Sequence, residues 1–268
     1  VRTIPLLLLA VCVAAAEDEN PQAYLAAVLE TCPRVTQANV KGNLNHVSLD
    51  KKTHHVARFE GETGNFELTR LDVTAGAPKG ARLWSRNLRR AYSEDGKTWV
   101  DGTTGSTAEA WGSWFAPEDL VYLLKTCVGG VQFGGCSSVG KARCRIVQVS
   151  LSQDGVQQLL ARAGVEAGEI DQATLMTLLT VRVGEEDGLL YGIDASLSAS
   201  GTLPPGAQDV KPPEDPDAGP LGIGNPEEMP EGVAYRSSVT WQVSYEFSGH
   251  TDKKKVEPPG EVRKLLGF

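Results

Sequence analysis

The chain has 268 residues, 41% of them hydrophobic and 22% charged, with a formal net charge of −8 and a pI near 5.1. That acidity excludes the basic footprint on which nucleic-acid binding depends. The length suits one all-β domain or two smaller ones, and beyond the N-terminal stretch no run reaches the 18 or so apolar residues of a spanning helix.

The chain opens VRTIPLLLLAVCVAAAEDEN, with Arg2 ahead of an apolar run over residues 4–16 and a polar region from Glu17. Such a run is short for a bilayer but suits a signal-peptide core, and Ala14-Ala15-Ala16 supplies a small-x-small cleavage pattern. We expect a signal peptide over 1–16, and a single exported domain over 17–268 in the periplasm or cell envelope. Leu9-Ala10-Val11-Cys12 has the outline of a lipobox. Val11 stands where Gly, Ala or Ser is usual, so a lipid anchor on Cys12 is the lesser reading.

Asn20-Pro21 reads as a cap and first residue of a helix over Gln22–Thr31, with Tyr24, Leu25, Val28, Leu29 and Cys32 on one stripe. Short strand-like runs follow at Val40–Leu49, His54–Glu60, Phe66–Val73, Ala81–Arg86 and Arg89–Tyr92, and Glu94-Asp95-Gly96-Lys97 marks a turn before Trp99. Pro117 opens a second helix, with Glu118 and Asp119 in its first turn, Lys125 near its end, and Leu120, Leu123, Leu124 and Cys127 on its apolar face. Trp111, Trp114 and Phe115 precede it, either as core anchors or as an aromatic lid edge. A hairpin over Val131–Ser137 and Ala142–Ser150 leads to a third helix near Gly155–Ala163.

Period-two alternation is clearest over Leu189–Leu203 and Val239–Phe247, where odd positions are mostly apolar and even ones mostly polar. This pattern belongs to antiparallel strands with one dry and one wet face. Between them, residues 203–232 hold eight of the 15 prolines and seven acids against one Lys, and read as a loop insertion. Lys253-Lys254-Lys255 reads as a solvated turn, and PPGEVRKLL as a short terminal helix that seals the barrel.

Many amphipathic strands and few helices imply a mainly β (α+β) fold. The economical form is a strongly curved antiparallel sheet, an unclosed half-barrel with helices covering its concave face. Such a sheet either encloses an apolar cavity or is filled by its own side chains. The candidate cavity residues are Leu189, Tyr191, Ile193, Leu197, Val239, Trp241, Val243 and Tyr245; Leu120, Leu123 and Leu124 form the candidate lid.

GGCSSVGKARC, residues 134–144, has three readings. As a phosphate-binding loop it fails at Ala142, where Ser or Thr is required, and it leads into a strand rather than a helix. As a metal site it lacks further ligands, since neither H-E-x-x-H nor C-x-x-C occurs and His54 and His55 adjoin on a strand. As a stapled hairpin centred on Gly140 it sets Cys136 opposite Cys144, at the ~4.5 Å Cα separation of a non-hydrogen-bonded pair. Export favours oxidation. Cys136–Cys144 is therefore expected, with Cys32–Cys127 as the remaining pair and Cys127–Cys136 as the rival. No G-x-S-x-G elbow or other catalytic constellation is present, so no enzyme, metal or cofactor is expected.

NVKGNLNHVSLD, LWSRNLRRAYSEDGKTWVDG, PEDLVYLL, GKARCRIVQVSLS, GLLYGIDASLS and VTWQVSYEF…KKKVEPPGEVRKLL come in an order that resembles the LolA/LppX-like superfamily of exported lipoprotein carriers and lipid-binding proteins. The resemblance spans most of residues 20–268. It implies a non-enzymatic protein that binds a lipid or acylated protein beneath a helical lid, with transient membrane contact. The alternative is an envelope interaction or sensor module with a filled core and a protein partner.

Overall fold

The computed structural model describes residues 20–49, 54–76, 79–102, 114–165, 168–203, 235–251 and 255–268. The expected signal peptide, Cys12, Trp111, Lys253, Lys254 and the insertion beyond Leu203 lie outside the described residues.

The strands are β1 (Gln37–Val47), β2 (His54–Gly64), β3 (Leu68–Gly76), β4 (Arg82–Arg86), β5 (Arg89–Ser93), β6 (Val100–Asp101), β7 (Val128–Val139), β8 (Ala142–Leu151), β9 (Met176–Gly184), β10 (Leu190–Leu203) and β11 (Tyr235–Thr251). The helices are α1 (Pro21–Thr31), α2 (Pro117–Thr126), α3 (Gln153–Arg162) and α4 (Gly260–Leu266). One antiparallel sheet runs β6-β5-β4-β3-β2-β1-β11-β10-β9-β8-β7, and its ends, β6 and β7, do not pair with each other. The half-barrel expected from the strand pattern is therefore the architecture. Register shifts place an extra residue in β11, β3, β7 and β10, and each bends its strand and raises the local twist.

Alternation sends Val40, Leu44, Phe59, Leu71, Val147, Val181, Ile193, Leu197, Trp241 and Phe247 into one large core, which Leu25, Leu29, Leu120, Leu123 and Leu159 cover from the helices. Burying each such side chain contributes about 2 kcal/mol. Gly42 on β1 pairs with Tyr245, whose ring occupies the space a Cβ would need, only 2.4 Å away. The terminal helix lies elsewhere than expected. Leu83 and Tyr92 face the large core, but their neighbours Trp84 and Ala91 face outward, where Val262 and Leu266 of α4 pack on them. The helix thus covers the outer face of β4 and β5 instead of sealing the barrel.

The expected cysteine pairs are not formed, because no disulfide joins any two of Cys32, Cys127, Cys136 and Cys144. The hairpin turn is two residues, Gly140 (φ +58°) and Lys141, between the paired Val139 and Ala142. Its centre falls half a residue beyond Gly140. Cys136 therefore opposes Arg145, and Cys144 opposes Ser137. One residue of offset puts the two thiols on opposite faces: Cys136 is exposed and donates to Glu185 Oε1 at 3.2 Å, while Cys144 is buried. Cys32 instead donates to Val28 O within its own helix, and Cys127 sits beside Thr126 and Gln158.

Iodoacetamide applied to the native protein should alkylate Cys136 alone among these four, and unfolding should release the other three. Peptide mapping without reductant reads this, and a disulfide-linked peptide containing Cys144 would contradict the register.

Candidate ligand groove between the helices

Helix α1 begins where Asn20 Oδ1 accepts from the Gln22 and Ala23 amides at 2.9 and 3.3 Å, with Pro21 preset at the first helical position. Pro33 ends it in a single 3₁₀ turn, Cys32–Arg34. Its Tyr24 ring meets Phe133 of β7 edge-on at 5.5 Å, and the Arg145 guanidinium lies over both rings. The helix therefore rides on the edge strand.

Helix α2 is held at its start by buried polar groups. Asp119 Oδ2 accepts from the Ala116 amide and from Arg90 Nη2, each at 3.0 Å, and Arg90 and Asp119 are almost wholly buried. Trp114 Nε1 donates to Tyr245 Oη at 2.5 Å, and Tyr245 Oη donates to Phe115 O at 2.7 Å. The same tyrosine thus pins the two residues that lead into the helix. Burial holds its phenol well above the usual range.

Glu118 has no cation at ion-pair distance among the described residues; Arg90 is paired to Asp119. Burial, with the Asp119 charge beside it, pushes the Glu118 carboxyl up to about 7. Thr69 Oγ1 donates to Glu118 Oε2 at 2.6 Å, and this bond opposes part of the rise.

Between α1 and α2 lies an open groove of about 660 Å³, lined by Leu25, Ala26, Leu29, Pro33, Leu124 and Val128, with Gln22, Glu30, Arg34 and Lys125 as its polar members. A smaller pocket of about 360 Å³ adjoins the far side of α2, where Phe66 and Leu88 sit at positive φ in their turns and Tyr122 is half exposed. Among the described residues no cluster of three His, Cys, Asp or Glu side chains could hold a metal, and no helix is long and apolar enough to cross a membrane.

Of the sequence-derived candidates, Ile193, Leu197, Val239, Trp241, Val243 and Tyr245 are buried together on the concave face, where Phe115 meets Trp241 edge-on at 5.3 Å. Leu189 and Tyr191 are half-buried. The register shift between Leu190 and Gly192 turns Leu190 into the core and leaves Tyr191 bonded to Asp187 and edge-on to His250. Leu120 and Leu123 are core residues, and Leu124 reaches the groove. Leu25 and Leu29 of the groove stood on the apolar stripe of α1 in the sequence; Ala26, which also lines it, did not.

Glu118 gives a pH dependence of definite sign. Its folded pKa is raised, so the folded state holds the proton more tightly, and stability falls as pH rises from about 4.5 to about 7. His46, His55 and His250 have lowered pKa values from burial and act in the opposite sense. The difference between wild type and Glu118→Gln isolates the acid. From pH 5 to pH 8 that difference should move in favour of the variant by up to about 3 kcal/mol, as read by urea unfolding; a constant difference would refute a neutral Glu118.

No protein-family model matches the chain, and no curated protein matches it in sequence. Among solved structures the chain is similar to lipoprotein LppX of Mycobacterium tuberculosis, at 13% identity and TM-score 0.43, over 90% of this chain and 100% of that one. It is similar to LprF of Mycobacterium bovis at 10% identity and TM-score 0.42, over 89% and 96%. A LolA superfamily protein of Nitrosomonas europaea follows at 11% identity and TM-score 0.29, over 89% and 96%.

Proposed function

We propose that this chain is a non-enzymatic binding protein of the cell envelope that holds the acyl chain of a lipid or acylated protein in the groove between α1 and α2. The observation that carries the reading is the groove itself. It is about 660 Å³ in volume, within the range of ligand sites, and six apolar side chains from α1, α2 and the residues just after them line it. Leu25, Leu29 and Leu124 form its buried floor, and the apolar surface that a hydrocarbon chain would take out of water is that of Ala26, Pro33 and Val128. Lid opening is then a separation of α1 from α2, and Leu120, Leu123 and Leu124 stay with α2.

A second reading is favoured by the packing beneath the groove. Trp241, Tyr245, Phe247, Trp114 and Phe115 are buried together, as expected of an interaction module with a filled core. In that case Ile193, Leu197, Val239 and Val243 serve packing rather than ligand.

The two readings separate on one substitution. Ala26 lines the groove from an exposed helical position, so Ala26→Trp fills the groove without disturbing the core. The acyl-chain reading expects wild type to bind a fluorescent fatty acid and Ala26→Trp to bind it at least about tenfold more weakly, with little change in Tm. Wild-type protein that ignores the probe, and that carries no lipid by native mass spectrometry, would favour the filled-core module.

A further inference from the structure

We infer that the groove selects amphiphiles with an anionic head, a carboxylate or a phosphate, and that Lys125 and Arg34 read that head. The inference rests on the groove being the ligand site.

The chain as a whole is acidic, at −8, yet the charged lining of the groove is two cations and one acid, Lys125 and Arg34 against Glu30. Elsewhere on the sheet Arg70, Arg82, Arg90, Arg143 and Arg182 are each ion-paired. Among the described residues neither Lys125 nor Arg34 has an ion-pair partner, and Glu30 is bonded to neither. The Lys125 charge also reaches across the groove. It acts on the buried Cys32 thiol at the end of α1, favouring the thiolate against the larger effect of burial, which pushes that thiol up to about 11. Lys125 lines this groove and also the smaller pocket on the far side of α2.

Helix ends favour cations, and Lys125 closes α2 as Arg34 closes the 3₁₀ turn after α1. That accounts for each charge singly. It does not account for two of them flanking one apolar groove without an acid bonded to either. A chain lying along Ala26, Pro33 and Val128, above the buried Leu25, Leu29 and Leu124, brings its head to this pair. A carboxylate or phosphate there accepts charge-assisted hydrogen bonds from both, and a guanidinium fork matches either anion.

Calorimetric titration of the full chain with dodecyl phosphate, dodecyl maltoside and inorganic phosphate, all below micelle formation, tests this. Dodecyl phosphate should bind about tenfold more tightly than dodecyl maltoside, and inorganic phosphate should not compete. The double variant K125Q/R34Q should lose that preference. In wild type, about 0.5 M salt should narrow the preference, since both cations are solvent-exposed. The salt series decides the matter even where the variant does not fold. Equal affinity for the two dodecyl probes overturns the inference and leaves the groove standing as a ligand site. A preference unmoved by salt, or displacement of dodecyl phosphate by inorganic phosphate, also overturns it. Binding of neither dodecyl probe overturns it together with the groove reading.

Discussion

The start of α2 imposes the constraint on which the rest of the inner layer depends: one buried guanidinium is paired to one of two adjacent buried carboxyls. Arg90 stands on β5 and Asp119 on α2, and their 3.0 Å contact ties the helix to the sheet. A buried pair of this kind gains little over a well-packed apolar contact, but breaking it leaves a charge without compensation and is strongly destabilising. Its value lies in specifying one docking position. With the Arg90 charge given to Asp119, Glu118 keeps the Thr69 hydroxyl as its partner, and burial pushes its carboxyl up to about 7. Tyr245 completes the anchorage by fixing Trp114 and Phe115. The position of Leu124, and hence one wall of the groove, follows from these contacts.

The opposite wall obeys a different rule. α1 has no buried ion pair and holds to β7 through Tyr24, Phe133 and the overlying Arg145. Its attachment is apolar and peripheral, at the edge of the sheet. The groove exists because two helices with unrelated attachments approach each other without interdigitating fully. Its polar members come from helix ends, where side chains reach over the apolar lining toward water.

Much of the fold was legible in the sequence because period two is a strong signal wherever one face is dry. Strands β1, β2, β10 and β11 announced themselves in that way, as did Pro117 with its flanking acids. Strand β9 did not. It carries apolar residues at both parities, since Met176 and Leu178 stand exposed on the outer face while Leu179, Val181 and Val183 enter the core. Tyr191 followed the alternation in sequence, and a bulge that no local pattern declares moved it off the apolar row. The cysteine pairing turned on half a residue in the position of a turn, which Gly140-Lys141 and an equally plausible centre on Gly140 do not distinguish by composition. The groove was the least legible feature. Its walls lie about ninety residues apart in the chain, and an apolar stripe reads the same whether a neighbour or a ligand covers it.

The outward placement of α4 divides the sheet mechanically. At β4 and β5 the chain is three layers thick, with apolar packing on both faces; at β8 and β9, among the described residues, only the inner face is covered. α2 is bolted through Arg90 and Thr69 to the thick half, and α1 travels with β7 at the thin end. Widening the groove is therefore a flexing of one continuous sheet, with the three-layer half as the fixed jaw and the edge strand with its helix as the moving one.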